Sequence, residues 1–307
     1  MRCDIGVVIV TYNRLNKLKR TLSSYSSQKL LPKYILVVNN ASTDGTDAFL
    51  SEWKLQNNQH DIVAKYVINL SENRGGSGGF YIGQEKAVSL DANWIMLADD
   101  DAYPSRDYIE GMQLFIEEHK NENISAVCGK VDQHGVFANE HRGRLNNLWS
   151  VSQYRKILSD EDYKRKVVDV DWISYVGIVV SKKSLKKAGL VNKDYFIWCD
   201  DMEHCMRLKT VGRLICIPQY AMVHDCDLAH MELSWKTYYG WRNRIDMFRR
   251  HFFPQFVFTT AIFFLKTCCL PLKGNRWAEM KLRFTAMRDG ILGRLGVNRI
   301  YKPGWKP

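Results

Sequence analysis

Three consecutive carboxylates, Asp99-Asp100-Asp101, end the apolar run Trp94-Ile95-Met96-Leu97-Ala98. Adjacent carboxylates repel one another, so clustering them makes chemical sense mainly around a cation. On an extended strand alternate side chains share a face, which puts Asp99 and Asp101 toward one pocket and turns Asp100 aside. The hard ions Mg²⁺ and Mn²⁺ take one or two carboxylates together with phosphate oxygens and water. The chemistry implied is the holding of a diphosphate. The competing reading is an acidic surface turn before a helix capped by Ser105, and a second acidic cluster, Asp200-Asp201-Met202-Glu203, argues against it. Asp201, near a helix start, stays ionised beside the helix dipole and suits removing a proton from a hydroxyl. Asp200 and Glu203 compete for that role or cap the helix. His224 is placed to complete a metal sphere, with His230 as rival and an ordinary structural histidine as the alternative.

Other polar groups gather where strands are expected to end. Thr11-Tyr12-Asn13-Arg14 follows the run Ile5–Val10, and its side chains suit a nucleotide's base and ribose. Asn39, at the end of Tyr34–Val38, offers a donor and an acceptor to a pyrimidine edge, or serves as a turn side chain. Arg74 opens the glycine-rich stretch Gly75-Gly76-Ser77-Gly78-Gly79. Backbone amides there approach a phosphate or sugar closely at a helix N-terminus, so Gly76, Gly78 and Gly79 are candidates for the donor's sugar and diphosphate. The stretch lacks the GK[ST] ending of a P-loop. Trp172, Trp198 and Glu203 are the candidate acceptor contacts, although core packing explains most tryptophans.

These groups need a scaffold that brings strand ends together. Strand-like runs at Ile5–Val10, Tyr34–Val38, Ile62–Ile68 and Trp94–Leu97 alternate with helical spacing at Leu15–Tyr25, Asp47–Trp53 and Gly79–Ser89. That alternation predicts an α/β fold with a mainly parallel sheet flanked by helices, which binds ligands at the C-terminal ends of its strands. Helices are further expected at Ser105–His119, Tyr154–Lys166, after Ser181 as far as Gly189, and from Asp200 to about Thr210.

Charge divides the chain. Residues 231–307 hold 15 Lys+Arg against 4 Asp+Glu, which accounts for the whole net charge of +11, while residues 1–230 hold 29 of each sign. A neutral part of about 1–230 with a basic, partly apolar helical tail implies an anionic surface as partner. Met280, Phe284, Met287, Ile291 and Leu295 recur at helical spacing among basic residues, which fits an amphipathic helix on a membrane surface or an ordinary packing helix. Phe252–Leu272 is barely long and apolar enough to span. No nucleic-acid-binding motif accompanies the charge, so nucleic acid is not an expected partner. Eight cysteines without a CxxC pair, and no leader-like opening, point to a reducing, cytoplasmic setting.

Taken together, Val7–Arg14, Val37–Thr46, Asn73–Phe80, Ile95–Tyr103 and Phe196–Arg207 resemble the inverting family 2 nucleotide-sugar glycosyltransferases. Within that family the Gly-Gly-Ser-Gly-Gly-Phe turn, the Asp triplet, the Trp-Cys-Asp-Asp element and Arg242-Asn243-Arg244 look most like bacterial galactofuranosyl- and rhamnosyltransferases. The resemblance implies a GT-A fold, with a nucleotide-sugar half at about 1–102 and an acceptor half at about 103–230. It implies that Asp99 and Asp101 form the metal-binding DxD with Mn²⁺ or Mg²⁺, that His224 joins them, that Asp99 and Asp100 face the nucleotide, and that Asp201 is the base. The expected reaction moves a sugar, galactofuranose from UDP-galactofuranose ahead of rhamnose from dTDP-rhamnose, to a polyprenyl-diphosphate-linked glycan at the inner membrane face; an oligomer is possible. Asn39 replaces the family's commoner Asp, and Cys199 separates Trp198 from the acidic pair. A catalytically silent sugar-binding protein, a glycosidase or a nucleic-acid binder are the readings from other classes.

Overall fold

The run Ile5-Gly6-Val7-Val8-Ile9-Val10-Thr11 is apolar on both faces, so it is stable only as a strand covered on both sides. In the computed structural model it forms β1 (Ile5–Thr11), buried along its whole length. The model describes residues 3–56, 63–133, 135–146, 155–226, 233–274 and 276–307. The order continues as α1 (Leu15–Ser26), β2 (Tyr34–Asn39), α2 (Thr46–Leu55), β3 (Ala64–Asn69), α3 (Gly75–Ser89), β4 (Trp94–Asp99), β5 (Ala102–Pro104), α4 (Tyr108–Glu118) and β6 (Ile124–Gln133). Then follow β7 (Val136–Phe137), β8 (Arg142–Leu145), β9 (Arg155–Ile157), α5 (Asp160–Tyr163), β10 (Val168–Val170), β11 (Trp172–Ile173), β12 (Ile178–Ser181) and α6 (Lys182–Ala188). The chain ends with α7 (Asp200–Lys209), β13 (Arg213–His224), α8 (Trp235–His251), α9 (Phe253–Cys268) and α10 (Trp277–Ile291).

One sheet runs β10-β13-β6-β12-β4-β1-β2-β3, with β5 added to β13 and β7 to β6. Strands β3, β2, β1 and β4 are parallel, with Val10 opposite both Val38 and Asp99, so the polar ends of β1, β2 and β4 lie at one edge. Beyond β4 the sheet becomes mixed: β12 is antiparallel to β4 and β6, whereas β13 is parallel to β6. A small sheet, β11-β8-β9, stands beside it. Apolar clusters cover both faces, one built on Val8, Leu36, Val38 and Leu97, the other on Val7, Ile9, Val37 and Met96. The expected α/β architecture is present.

Several elements depart from the sequence reading. α3 starts at Gly75, so the glycine stretch is its first turn rather than a loop before it. The helix expected over 154–166 shrinks to α5, capped by Ser159 and Asp162, with β9 in front of it. Ser105 caps nothing; its hydroxyl donates to Asp107 Oδ1 before α4 begins. α10 buries Glu279, Leu282, Ala286, Asp289 and Gly290, a face rotated from the expected Met280-Phe284-Met287-Ile291 stripe. It does so because α8 lies against it, close enough that a Cβ on Gly290 would meet the Arg242 carbonyl at 2.7 Å.

α9 is turned the opposite way from an ordinary packing helix. Its buried residues are Gln255, Thr259, Phe263 and Thr267, three of them polar, while Phe253, Val257, Phe258, Phe264 and Leu265 face outward. The stretch Phe253–Leu272 is long and apolar enough to cross a membrane by length and composition, and 22% of its most apolar window is buried.

Candidate active site

The C-terminal ends of β4 and β13 carry the first group. Asp99, Asp101 and His224 each present a ligand atom within 4.8 Å of the others, slightly wider than the about 4.2 Å across an octahedral Mg²⁺ or Mn²⁺ sphere. His224 reaches them because β13 pairs with β5, placing His224 opposite Ala102. Its Nε2 stands 3.5 Å from Asp101 Oδ1. The buried Asp101 Oδ1 and His224 Nδ1 have no hydrogen-bond partner among the described residues. Two carboxylates and an imidazole with an orphaned buried oxygen are a donor set that fits a hard divalent cation.

Arg14 enters the group from the end of β1. Its Nη1 donates to Asp101 Oδ2 at 2.6 Å and to Asp100 Oδ1 at 3.2 Å. Asp100 turns aside as the strand alternation predicts, accepting from Thr11 Oγ1 at 2.7 Å and from the Tyr12 amide at 3.4 Å; at 3% exposed it does not face a nucleotide, which corrects that expectation. Burial, then the neighbouring Asp101 and Asp100, hold the Asp99 carboxyl well above the ordinary carboxylate range. Burial pushes Asp100 up to about 6 against the pull of Arg14. Burial also raises Asp101, but His224 and Arg14 outweigh it and hold that carboxyl below its ordinary value. A cation among these carboxyls would offset the crowding in place of a proton.

The second acidic pair opens α7. Asp200 is 8% exposed and pushed up to about 7, by burial first and by Asp201 second. Burial also raises Asp201, partly offset by the Met202 amide that donates to Asp201 Oδ1 at 2.7 Å. The loop ahead of them is strained. Phe196, Trp198 and Cys199 all have φ between 65° and 68°, and Asn13 and Ala41 add two more positive values at the ends of β1 and β2. Such conformations cost about 1–3 kcal/mol each in side-chain-bearing residues. Phe196 sits at φ 68°, ψ −58° with the Ile197 amide donating to the Tyr195 carbonyl at 2.8 Å, a γ-turn.

The glycines of α3 answer to that turn. A Cβ on Gly75, itself at φ +71°, would fall 2.0 Å from the Phe196 carbonyl oxygen, which accepts from the Ser77 amide at 3.2 Å. The Gly75 amide donates to Asn73 Oδ1. Gly79 is required by Val10, 2.5 Å from a built Cβ. Packing against the Phe196 carbonyl and Val10 thus accounts for Gly75 and Gly79; Gly78 abuts the Arg74 side chain, and of these four glycines Gly76 alone faces open space.

Three further expectations are corrected. Trp172 is 3% exposed within the core, with Arg155 above its ring, so it offers no stacking face to an acceptor. Glu203 is 3% exposed and bonded to Arg207 and His251. Asn39 is 2% exposed, donating to Asn69 Oδ1 and accepting from the Ser42 amide, so both ends of its amide hold the turn. Asn13 likewise ties β1 to the 42–43 turn. Arg74 is exposed beside Glu72. Tyr12 and Trp198 remain exposed at 43% and 44%. The rival His230 and the boundary drawn at 230 lie outside the described residues.

Sequence reasoning did not assign Arg242, Asn243 or His141 to the site. Asn243 Nδ2 donates to the carbonyls of Tyr195, Ile197 and Trp198, each at 2.9 Å, and Arg242 Nη2 to those of Asp194 and Tyr195. The signal for the first two was the Arg242-Asn243-Arg244 run, which entered the resemblance without a role. His141 lies edge-on to His224, 5.0 Å between ring centres, and burial, Arg142 and His224 hold it neutral with a pKa lowered to about 3.

RfbF, a dTDP-rhamnosyl transferase of Shigella flexneri, is 25% identical over 97% of this chain and 99% of its own length. The galactofuranosyltransferase GlfT1 of Mycobacterium tuberculosis is 35% identical over 33% of this chain and 31% of its own. Among solved structures, GalNAc-T7 with UDP, GalNAc and Mn²⁺ superposes with a TM-score of 0.65 at 16% identity, covering 95% of this chain and 56% of that one. These neighbours share the GT-A fold. The model of glycosyl transferase family 2 matches residues 6–175, more than half of the chain, and the chain is a member of that family and a glycosyltransferase.

Proposed function

We propose that this enzyme transfers a sugar with inversion from a pyrimidine-diphosphate donor, UDP-galactofuranose, to a hydroxyl of a lipid-linked glycan. The observation that carries the reading is the pairing of two acidic groups across the sheet edge, Asp99-Asp101-His224 on one side and Asp200-Asp201 on the other. Asp99, Asp101 and His224 would hold Mn²⁺ or Mg²⁺. When bound, such an ion neutralises charge on a departing nucleoside diphosphate. Tyr12 and Arg14 line the nucleotide side; Thr11, 1% exposed and donating to Asp100, holds the strand end instead, with Arg14 and Asp100 setting the position of Asp101. Asp201, half-buried and raised, takes the proton of the attacking hydroxyl, and displacement opposite the diphosphate inverts the anomeric centre. Trp198, exposed on the loop before the acidic pair, supplies an apolar face to the acceptor.

Transfer from dTDP-rhamnose is the second reading, favoured by the whole-length likeness to RfbF, which includes the tail. Thermal stabilisation by UDP, dTDP and GDP, each with and without Mn²⁺, separates the two, because a ligand of the folded state raises the midpoint by mass action. A Mn²⁺-dependent shift with UDP supports the first, a dTDP preference the second, and no shift with any nucleotide overturns both.

The tail, residues 231–307, is proposed to dock on an anionic membrane surface at the cytoplasmic face. Support comes from its charge and from α9, whose apolar side faces outward and whose polar side faces the protein. The apolar contact is thus carried by α9 in place of the stripe expected on α10. The exposed Lys266 of α9 and Lys281 and Arg288 of α10 suit acidic headgroups.

A further inference from the structure

We infer that Asn243, seconded by Arg242, is a positioning residue for transfer: it holds the strained loop that presents Asp200 and Asp201, so the tail helix α8 completes the active site. The inference rests on the proposed role of Asp201.

The loop has no regular structure to fix it. Phe196, Trp198 and Cys199 occupy left-handed conformations that side-chain-bearing residues leave unless neighbours over-determine them. From one side, the Ser77 amide at the start of α3 grips the Phe196 carbonyl. From the other, a single side-chain amide reaches three carbonyls of the loop: Asn243 Nδ2 lies 2.9 Å from those of Tyr195, Ile197 and Trp198. Arg242 Nε donates to Asn243 Oδ1 at 2.9 Å, which fixes the amide with its nitrogen toward the loop. Asn243 is fully buried and Arg242 is 1% exposed, so water does not substitute for either.

The contact continues along α8. Gly240 allows Trp198 to lie against the helix, 2.9 Å from where a Cβ would stand, and Tyr195 donates its hydroxyl to Asp246 Oδ2 at 3.0 Å. None of these groups lies among the candidate nucleotide or metal residues of β1 and β4. Loss of the brace therefore moves the base and the acceptor face while leaving the nucleotide side in place.

The test uses the full chain, with turnover read as UDP release from UDP-galactofuranose or dTDP release from dTDP-rhamnose, whichever the wild type uses. Asn243→Asp keeps the shape and removes the donors; Asn243→Ser, neutral and shorter, serves where a buried charge prevents folding. The expected result is a kcat about 100-fold lower, with donor KM and Mn²⁺–nucleotide affinity, measured by calorimetry, within about threefold of wild type. Combined with Asp201→Asn, Asn243→Asp should add almost no further loss, because both remove one function. A near-wild-type kcat overturns the inference, as do losses that multiply in the double variant, or kcat and nucleotide affinity falling together while donor KM rises. Normal turnover of Asp201→Asn overturns the base assignment instead, and leaves the Asn243 kcat to be judged on its own.

Discussion

At the scale of single residues, the two acidic groups differ in how they carry their charge. Asp101 is held ionised by His224 and Arg14, whereas burial raises both Asp200 and Asp201, and Asp201 raises Asp200 further. Such a pair titrates jointly, and its macroscopic steps belong to both carboxyls. Transfer should therefore rise with pH through a range above that of ordinary carboxylates, toward the value of about 7 at Asp200. Asp201→Asn should lower kcat by about 10²–10⁴ while leaving Mn²⁺-dependent nucleotide binding in place; a steady-state assay beside a nucleotide titration checks both halves. The acidic residues were legible in the sequence because charge next to an apolar strand is anomalous. Trp172 and Glu203 were not read correctly for the reverse reason. An aromatic ring and a helix carboxylate look the same in sequence whether they face a ligand or a neighbouring side chain, and only Arg207 and His251, 4 and 48 residues away, settle Glu203.

At the scale of elements, that same carboxylate links α7 to α8. His251 and Arg207 hold Glu203 down to about 2 despite its burial. Its folded value lies below its unfolded one, so its contribution to stability is full above the unfolded value near 4.5 and is lost as pH falls through that value toward about 2. Glu203→Gln should lower stability by about 3 kcal/mol at neutral pH and flatten the loss below pH 4.5, as read from denaturant midpoints across pH. The parallel strands were visible as β-branched runs, and the helices as apolar spacing. What escaped the sequence was how elements meet: the glycines of α3 look like a phosphate loop, yet Gly75 and Gly79 exist for Phe196 and Val10. Which face of α10 turns inward was left open between membrane and packing, because the partner that selects its face, α8, is distant in sequence.

For the whole molecule, the tail has two surfaces with separate consequences. The outward apolar side of α9 predicts that Phe258→Glu with Leu265→Glu weakens binding to phosphatidylglycerol vesicles about tenfold or more, with turnover of soluble donor unchanged; cosedimentation and nucleotide release measure the two. Deleting 278–307 is the poorer test. It removes Asp289, which accepts from Tyr238, and Gly296, whose carbonyl accepts from Arg242, so it loosens α8 as well. That grip also has a meaning in time. The ligand set Asp99, Asp101 and His224 is complete once residue 224 has been made, but Gly296 both donates to the Asp194 carbonyl and accepts from Arg242. Chains fold from the N-terminus as they leave the ribosome. A product cut short between those points would carry both acidic groups of the site without the Gly296 contacts that tie Arg242 to the 194–199 loop, and it should transfer sugar more slowly than the full chain.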